Sequence, residues 1–275
     1  MTQRQLKGRR ILITGASGGI GRSIAEAAAR RGARLALAAR SADKLEALAA
    51  QLRGQGTDAL AVPADITREE DRQRLLDTVV EHFGGLDVLI NNAGVASFGH
   101  FATSSEQVLR TIMELNFFAP VELIRRAVPI LQKGMEPALV NISSMCGRRG
   151  LPAWPEYSAS KFALCGMTEA LRGEMARFDI DVLLILPGLT RSDLGRHLLR
   201  NDGKMDIRFD HGMAPEEVAE GILTALERNR TETVLGSEAK WMLRLQRFAP
   251  RILDRLIARR VRKLYERVQA SEPGA

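Results

Sequence analysis

Tyr157 and Lys161 are the two residues whose types and spacing most directly suggest chemistry. They lie four positions apart where the run SASKFALCGMTEALRGEMARF reads as a helix, so their side chains should share one face, one turn apart. A free phenol ionises near pH ~10, but an adjacent ammonium favours the phenolate and lowers the pKa of the tyrosine. The pair is therefore predicted to exchange protons near neutral pH.

A third candidate, Ser144, lies thirteen positions before Tyr157, at the end of the strand-like run Ala138 to Ser143. Tyr-x-x-x-Lys alone is a weak signal, because in many helices such a pair is an exposed lysine and a half-buried tyrosine. The serine hydroxyl in the same strand-loop-helix passage, residues 141–161, strengthens the prediction of an active site.

Length and composition limit the architecture that must position these residues. The chain has 275 residues and 45% hydrophobic content, which suits one sizeable α/β domain. It has no apolar run of 18 residues, and its first residues, MTQRQLKGRR, do not resemble a signal peptide, so we expect a cytoplasmic protein. Two cysteines without CxxC spacing and four scattered histidines predict reduced thiols and no metal site.

The net charge of +7 is concentrated at the C-terminus. Residues 237–275 hold ten Lys/Arg and four acidic residues, a net of +6. Apolar residues recur there at three- to five-residue steps, which predicts two amphipathic helices hinged before Pro250. Such a tail can bind a membrane surface, or it can pack against the body or a second subunit. Nucleic-acid binding is disfavoured, because no base-stacking platform or DNA-reading motif accompanies the charge.

The N-terminal part predicts a nucleotide site. RILIT, residues 10–14, reads as a buried strand, and a glycine-rich turn with Gly15, Gly19 and Gly21 leads from it into an amphipathic helix. Glycine lets the backbone approach a pyrophosphate, whose charge is favoured by the helix N-terminus. The alternative is a glycine-rich surface turn that binds no ligand.

Taken together, the motifs resemble those of the classical short-chain dehydrogenase/reductase family over roughly residues 8 to 236. The resemblance implies a single doubly wound Rossmann-type α/β domain over residues 1–236, with a central parallel sheet flanked by helices. Residues 237–275 would form a basic amphipathic helical extension. The matching segments, in order, are Thr14-Gly-Ala-Ser-Gly-Gly-Ile-Gly21, Asp65, Asn91-Asn-Ala-Gly94, Asn116, Ser144, Tyr157-x-x-x-Lys161 and Pro187-Gly188.

The resemblance also assigns expected roles. Ser144 would hold the substrate oxygen, Tyr157 would transfer the proton, and Lys161 would lower the tyrosine pKa and hold the nicotinamide ribose. Asn116 would hold a water that links the lysine to solvent; alternatively it is a kink or a core polar group. The expected cofactor-binding residues are Gly15, Ser17, Gly19, Ile20, Gly21, Arg40, Ser41, Asp65, Ile66, Asn91, Ala93, Gly94, Pro187, Gly188 and Thr190, together with Tyr157 and Lys161.

The residue after the second strand favours NADP over NAD. ARLALAA ends at Ala39 and offers no carboxylate for a ribose hydroxyl, and Arg40, which follows, can bind a 2′-phosphate. The alternative is an ordinary solvated arginine. The resemblance implies that Asp65 binds the adenine amino group. The alternative is that Asp65 caps the next helix, a role for which it is less needed because Thr67-x-x-Glu70 already offers a capping box.

Four further expectations concern local structure, assembly and substrate. Residues 104–130 should form a long helix with a break near Pro120, and residues 193–213 a substrate lid or a plain loop; relatives often have Thr at the position of Ser192. The outer faces of the 104–130 and 157–178 helices would suit a homodimer or homotetramer. The pocket residues lean towards a lipophilic carbonyl or alcohol substrate: Phe98, Met145, Leu151, Trp154, Leu189, Leu194 and Leu198.

The sequence therefore predicts an NADP-dependent carbonyl reductase or alcohol dehydrogenase. Two alternatives from other classes stay open. One is a nucleotide-binding scaffold or sensor in which the chemistry is dispensable. The other is a membrane-associated protein in which the tail is the functional part.

Overall fold

A parallel β-sheet forms the centre of the protein in the computed structural model, which describes residues 3–191, 198–203 and 211–271. The strands are β1 (Arg10–Thr14), β2 (Arg34–Ala39), β3 (Ala59–Pro63), β4 (Val88–Asn91), β5 (Ala138–Ile142), β6 (Asp181–Pro187) and β7 (Glu232–Leu235). In the described part of the chain they form one sheet in the order β3-β2-β1-β4-β5-β6-β7, and each neighbouring pair is parallel.

Helices follow the strands and cover both faces of the sheet. Their bounds are α1 (Gly19–Arg30), α2 (Ala42–Gly54), α3 (Glu69–Phe83), α4 (Glu106–Met113), α5 (Ala119–Leu131), α6 (Pro155–Met175), α7 (Pro215–Glu227), α8 (Ser237–Phe248) and α9 (Pro250–Ser271). One apolar core includes Ile24 of α1, Leu48 of α2 and Ile222 of α7. The other includes Leu75 of α3 and Leu123 of α5. Cores on both faces explain why the central strands are continuous apolar runs, and they confirm the predicted doubly wound α/β class.

The strand order creates a crevice at the carboxyl edge of the sheet. From β1 the chain moves outward to β2 and β3, and it then returns to place β4 on the other side of β1. The loops that follow β1 and β4 therefore diverge, which is where doubly wound sheets bind their ligands. The glycine-rich turn follows β1, and the Asn-Asn-Ala-Gly turn includes the end of β4.

The predicted helix over residues 104–130 is broken near Pro120, as expected. α4 ends at Met113, a single π-helical turn spans Glu114–Phe118, and α5 begins at Ala119. Pro120 lies two residues after this turn, and the backbone stays helical through Met113, Phe118 and Ala119, so its missing N–H interrupts the hydrogen-bond ladder at this point. The wide turn contains Asn116, which is almost fully buried.

The C-terminal residues form two helices that separate before Pro250, as predicted, and the second is held against the body. Leu253 of α9 is buried. Arg149 of the body donates to Gln246 Oε1 at 2.8 Å and to Asp254 Oδ1 at 2.7 Å, which connects it to both helices. No helix in the described ranges combines the length and apolarity that a bilayer span needs.

Candidate active site

The glycine-rich turn is built so tightly that side chains are excluded from it. Gly15 has a φ of +67°, and a Cβ there would lie 2.8 Å from the Cα of Ala93. A Cβ on Gly21 would lie 2.1 Å from the carbonyl oxygen of Gly15. α1 begins at Gly19 with no side-chain cap and no acidic residue in its first turn, so its N–H groups suit an anion. The turn has the form of a phosphate cradle.

Asn92 holds this turn to the end of β4, a role that the sequence interpretation missed. Its Nδ2 donates to the carbonyl oxygen of Thr14 at 2.9 Å, and its backbone N–H donates to the Thr14 hydroxyl at 3.0 Å. Asn91, expected at the cofactor, is instead buried and donates to Asn141 Oδ1 at 2.9 Å. Strand alternation explains the difference, because adjacent side chains point to opposite faces.

One cavity of about 1630 Å³ runs along the carboxyl edge of the sheet. Its lining includes both the glycine-rich turn and the pair Tyr157 and Lys161. Other expected residues that line it are Ser17, Ile20, Arg40, Ser41, Asp65, Ile66, Ala93, Gly94, Ser144, Pro187, Gly188 and Thr190. The structure thus brings these residues to one cavity, whereas Ser192 and most of the proposed lid at 193–213 lie outside the described residues.

The cavity beyond β2 is basic. Arg40 follows directly on β2, and Lys44 lies in the first turn of α2; both line the cavity. Neither has an ion pair with any residue in the described ranges. No carboxylate stands at the end of β2. Two uncompensated cations at this point suit an anionic group.

Asp65, expected on the adenine amino group, also stabilises the local turn that leads into α3. Its Oδ1 accepts hydrogen bonds from the Thr67 N–H at 3.0 Å and from the Thr67 hydroxyl at 2.7 Å. α3 begins at Glu69 after Arg68, without a side-chain cap, so the predicted box of Thr67 with Glu70 does not form. The prediction was wrong because the Thr67 hydroxyl is used two residues back, in an Asx-type turn.

Ser144, Tyr157 and Lys161 meet at the inner end of the cavity. Ser144 lies just beyond β5, and its Oγ accepts from the Cys146 N–H at 3.1 Å. Its hydroxyl lies near the phenol of Tyr157 and lowers the pKa of that group. Lys161 Nζ lies 5.8 Å from the centre of the tyrosine ring and donates to the carbonyl oxygen of Ile142 at 3.0 Å. The three side chains therefore form one buried group.

The expected lowering of the tyrosine pKa is not what the structure gives. Burial raises the pKa of the Tyr157 phenol, Cys146 adds to the rise, and the Ser144 hydroxyl opposes it. Burial also lowers the pKa of Lys161, to about 8. Both groups lose hydration on burial, and this loss is the largest cause of each pKa shift. At pH 7 the tyrosine is thus a neutral acid beside a largely protonated lysine.

Asn116 ties the β4–α4 loop to α6. Its Oδ1 accepts from the Val95 N–H at 2.9 Å, and its Nδ2 donates to the Val95 carbonyl oxygen at 2.9 Å and to Ser160 Oγ at 3.0 Å. A Cβ placed on Gly94 would lie 3.2 Å from Asn116 Oδ1 and 3.6 Å from Lys161 Nζ. Asn116 is therefore next to the lysine, with its amide fully engaged in protein hydrogen bonds.

The cavity beside Tyr157 has an apolar wall. Trp154 packs edge-on to the tyrosine ring, with the ring centroids 5.7 Å apart. Phe98, expected in the wall, instead packs behind Trp154 at 5.2 Å. Leu194 lies outside the described residues. The apolar side chains of the wall are Met145, Leu151, Trp154, Leu189 and Leu198, and three that sequence reasoning did not single out: Leu199, Met242 and Leu256.

The two cysteines lie beneath the site as free, buried thiols. Burial raises the pKa of the Cys146 thiol to about 11 and also raises that of Cys165. They are therefore protonated at neutral pH and poor nucleophiles. Among the described residues, no three His, Cys, Asp or Glu side chains come together as a potential metal site.

Fold and cavity together define a dinucleotide-binding oxidoreductase: a doubly wound sheet, a glycine cradle at its switch point, and a buried hydroxyl-phenol-ammonium group. Comparison with known sequences agrees. The sequence model of the short chain dehydrogenase family matches residues 9–203. The chain belongs to this family of short-chain dehydrogenases/reductases.

Individual relatives support the same assignment. The uncharacterized oxidoreductase YxnA of Bacillus subtilis is 36% identical over 258 residues, which cover 92% of this chain and 72% of YxnA. An alcohol dehydrogenase from Thermococcus sibiricus, solved with 5-hydroxy-NADP, is 27% identical with a TM-score of 0.75, covering 83% of this chain and 96% of that one. A short-chain dehydrogenase/reductase from Burkholderia phymatum, solved with NAD, has the same fold, with a TM-score of 0.82 at 24% identity. The match covers 90% of this chain and 96% of that one. Structures of this fold therefore hold either NAD or NADP.

Proposed function

We propose that the protein is an NADP(H)-dependent oxidoreductase that interconverts a lipophilic ketone or aldehyde and its alcohol. The observation that carries this proposal is the single cavity that joins the glycine cradle to the buried Tyr157 and Lys161. A scaffold or sensor would have no need of a buried ammonium beside a phenol, an arrangement that costs stability.

The preference for NADP rests on the charge at the end of β2. Arg40 and Lys44 face the cavity without acidic partners in the described part of the chain, and no carboxylate stands there to hold a ribose hydroxyl. A 2′-phosphate would pair with this arginine, whereas the hydroxyl of NAD would gain much less. The cradle fits the pyrophosphate of a dinucleotide, because α1 begins at Gly19 with no side-chain cap and no acidic residue in its first turn. Glycine at positions 15 and 21 lets the turn pack closely against itself and against Asn92 and Ala93.

In the reductive direction this chain supplies orientation and a proton, and the nicotinamide, when bound, supplies the hydride. Ser144 donates a hydrogen bond to the carbonyl oxygen and fixes its position. Tyr157, a neutral acid at pH 7, gives its proton to that oxygen. The ammonium of Lys161 then favours the phenolate that remains. Asn116 holds the Val95 loop and α6 in register around the lysine.

The substrate class follows from the wall beside the phenol. Met145, Leu151 and Trp154 line this end of the cavity, and Leu198, Leu199 and Met242 extend the apolar surface. Apolar walls gain free energy by removing hydrocarbon from water, about 25 cal/mol for each Å². Bulky hydrophobic carbonyls should therefore bind better than small polar ones.

The experiment that tests the proposal is a screen of NADPH oxidation over carbonyl compounds of graded size and polarity, run beside the same screen with NADH. The variant Arg40→Ala belongs in both arms. We expect it to raise the KM for NADPH by about tenfold or more and to change that for NADH by less than about twofold. Equal losses for the two cofactors would contradict the assignment of Arg40.

We also propose that the protein is a homodimer or homotetramer. Leu109 of α4, Phe118 of the π-helical turn and Phe162 of α6 are exposed. These elements pack side by side, so the three side chains can contribute to one apolar face that a second copy would cover. Light scattering after size-exclusion chromatography should give two or four chain masses, and Phe118→Glu with Phe162→Glu should reduce it to one.

The exposed side of the tail supports a peripheral membrane contact as a second role beside catalysis. Trp241, Phe248 and Ile252 are more than half exposed and lie among arginines. Aromatic and basic residues together are typical of helices that lie in a lipid interface. We propose a cytoplasmic protein, consistent with its free thiols, that binds anionic membranes through this side. Co-sedimentation with phosphatidylserine vesicles should decrease in Trp241→Ala/Phe248→Ala.

A further inference from the structure

One side of α9 lines the same cavity as the glycine cradle and Tyr157. At about 100° per residue its seven cavity-lining residues span about 200° of the helix circumference, so they form one broad side of the helix, called the stripe below. The stripe combines apolar residues with three cations. Its members are Leu256, Ile257, Arg259, Arg260, Val261, Lys263 and Leu264.

Contacts with the body fix the position of α9. Leu253, one turn before the stripe begins, is buried, and the Arg149 guanidinium contacts Asp254 at 2.7 Å. Arg149 also binds Gln246 of α8 at 2.8 Å, so both helices are secured at the same point. From there α9 continues along the cavity as part of its wall. The basic tail is thus a component of the site and not a separate appendage.

Three cations of α9 line the cavity. Within the described ranges, Arg259, Arg260 and Lys263 form no ion pair. Their side of the cavity holds few acids: Asp65, which accepts two hydrogen bonds from Thr67, and Glu238 at the start of α8. The three cations of α9, together with Arg40 and Lys44, outnumber these acids, so the cavity is strongly positive. A dinucleotide carries its negative charge on phosphates, so this excess is complementary to it.

We propose that Arg259 and Lys263 of α9 bind phosphate groups of the dinucleotide and so make the C-terminal helix part of the cofactor site. This inference rests on the proposed dinucleotide function and deepens it. It also gives the concentration of basic residues in the tail a role inside the cleft. The phosphate that they contact is either the pyrophosphate, which NADH and NADPH share, or the 2′-phosphate, which only NADPH carries. Comparing the binding of the two cofactors therefore distinguishes these contacts.

The test measures cofactor binding directly. The double variant Arg259→Gln/Lys263→Gln removes two charges and keeps good helix formers. The matched control, Arg255→Gln/Arg262→Gln, removes the same charge from the opposite side of the same helix, where neither residue lines the cavity. Dissociation constants for NADPH and NADH are measured by the quenching of intrinsic tryptophan fluorescence at low salt and at 0.5 M salt. Hydrogen exchange of residues 255–266, with and without NADPH, gives a second readout.

We expect the Arg259/Lys263 variant to bind NADPH about tenfold more weakly at low salt, as two partly exposed ion pairs predict, and less so at high salt. The control should stay within about twofold, and NADPH should protect α9 from exchange in the wild-type protein. Weakening for NADPH alone assigns the contact to the 2′-phosphate, and weakening for both assigns it to the pyrophosphate. Equal effects of the two variants, or no effect of either while the wild-type protein binds NADPH, would overturn the inference and leave the proposed function intact. If the wild-type protein binds neither dinucleotide, the proposed function itself fails.

Discussion

Replacing Lys161 with methionine should change how protein stability depends on pH. Lys161 is buried beside Tyr157, and burial lowers the pKa of its ammonium from 10.5 to about 8. Between these values the unfolded chain holds a proton that the folded chain has released. The unfolded state then binds more protons, so the free energy of unfolding of the wild-type protein rises as the pH increases from 8 to 10.5.

The magnitude follows from the pKa shift. A fall from 10.5 to about 8 corresponds to a cost of about 3 kcal/mol at pH 7, since each unit is worth about 1.4 kcal/mol. Between pH 7.5 and 9.5 that cost decreases by about 2 kcal/mol. Methionine carries no titrating group and fills a similar volume, so Lys161→Met should lack this pH dependence. Its own stability also reflects the lost hydrogen bond to the Ile142 carbonyl, but that loss does not vary with pH.

The assay is urea denaturation of both proteins at several pH values from 7.5 to 9.5. The quantity of interest is the wild-type free energy of unfolding minus that of the variant, because other titrating groups cancel in the difference. We expect it to increase by about 2 kcal/mol over this range. Lys133→Met, which removes an exposed lysine from the loop after α5, provides a control that should give a flat difference. A flat difference for Lys161→Met as well would refute the assignment of a strained, buried ammonium at this site.

Two further substitutions test the surroundings of the lysine. Gly94→Ala would place a methyl group 3.2 Å from Asn116 Oδ1 and 3.6 Å from Lys161 Nζ. Steady-state kinetics should show kcat reduced by about ten- to a hundredfold, while urea denaturation should show a loss of less than about 1 kcal/mol in the free energy of unfolding. An unchanged kcat would show that the space beside Asn116 and Lys161 is not needed for turnover. Asn116→Ala leaves both backbone polar groups of Val95 without their side-chain partner and removes the hydrogen bond that Ser160 Oγ accepts. The free energy of unfolding should fall by about 3 kcal/mol together with kcat, and a fall in kcat alone would favour a purely catalytic role.

Much of the fold could be predicted from sequence because its signals are local. β1 matches the apolar run RILIT, and a helix follows the glycine-rich turn as predicted. The break near Pro120 was predicted because proline is a familiar helix breaker, whereas its form, a π-helical turn at Glu114–Phe118, has no simple sequence signature.

Contacts in the site could be predicted where the spacing of residues along one helix brings them together. Contacts and pKa shifts that depend on how separate elements pack could not. Tyr157 and Lys161 share a helix face by spacing, so their meeting was predictable. The direction of the tyrosine pKa depends on burial, which follows from how α6 packs and not from the spacing. The contact of α9 with the cavity depends on long-range packing through Arg149. The role of Asn92 was missed because the prediction selected its neighbour Asn91 from the same Asn-Asn-Ala-Gly motif.

The most direct test of the central claim is the variant Tyr157→Phe, measured for both turnover and cofactor affinity. The phenol is proposed to deliver the proton, and its ring still packs against Trp154 without the hydroxyl. We predict that NADPH oxidation with any carbonyl that the wild-type enzyme reduces will fall to background, while the dissociation constant for NADPH stays within about twofold. Turnover comparable to wild type in Tyr157→Phe would contradict the account.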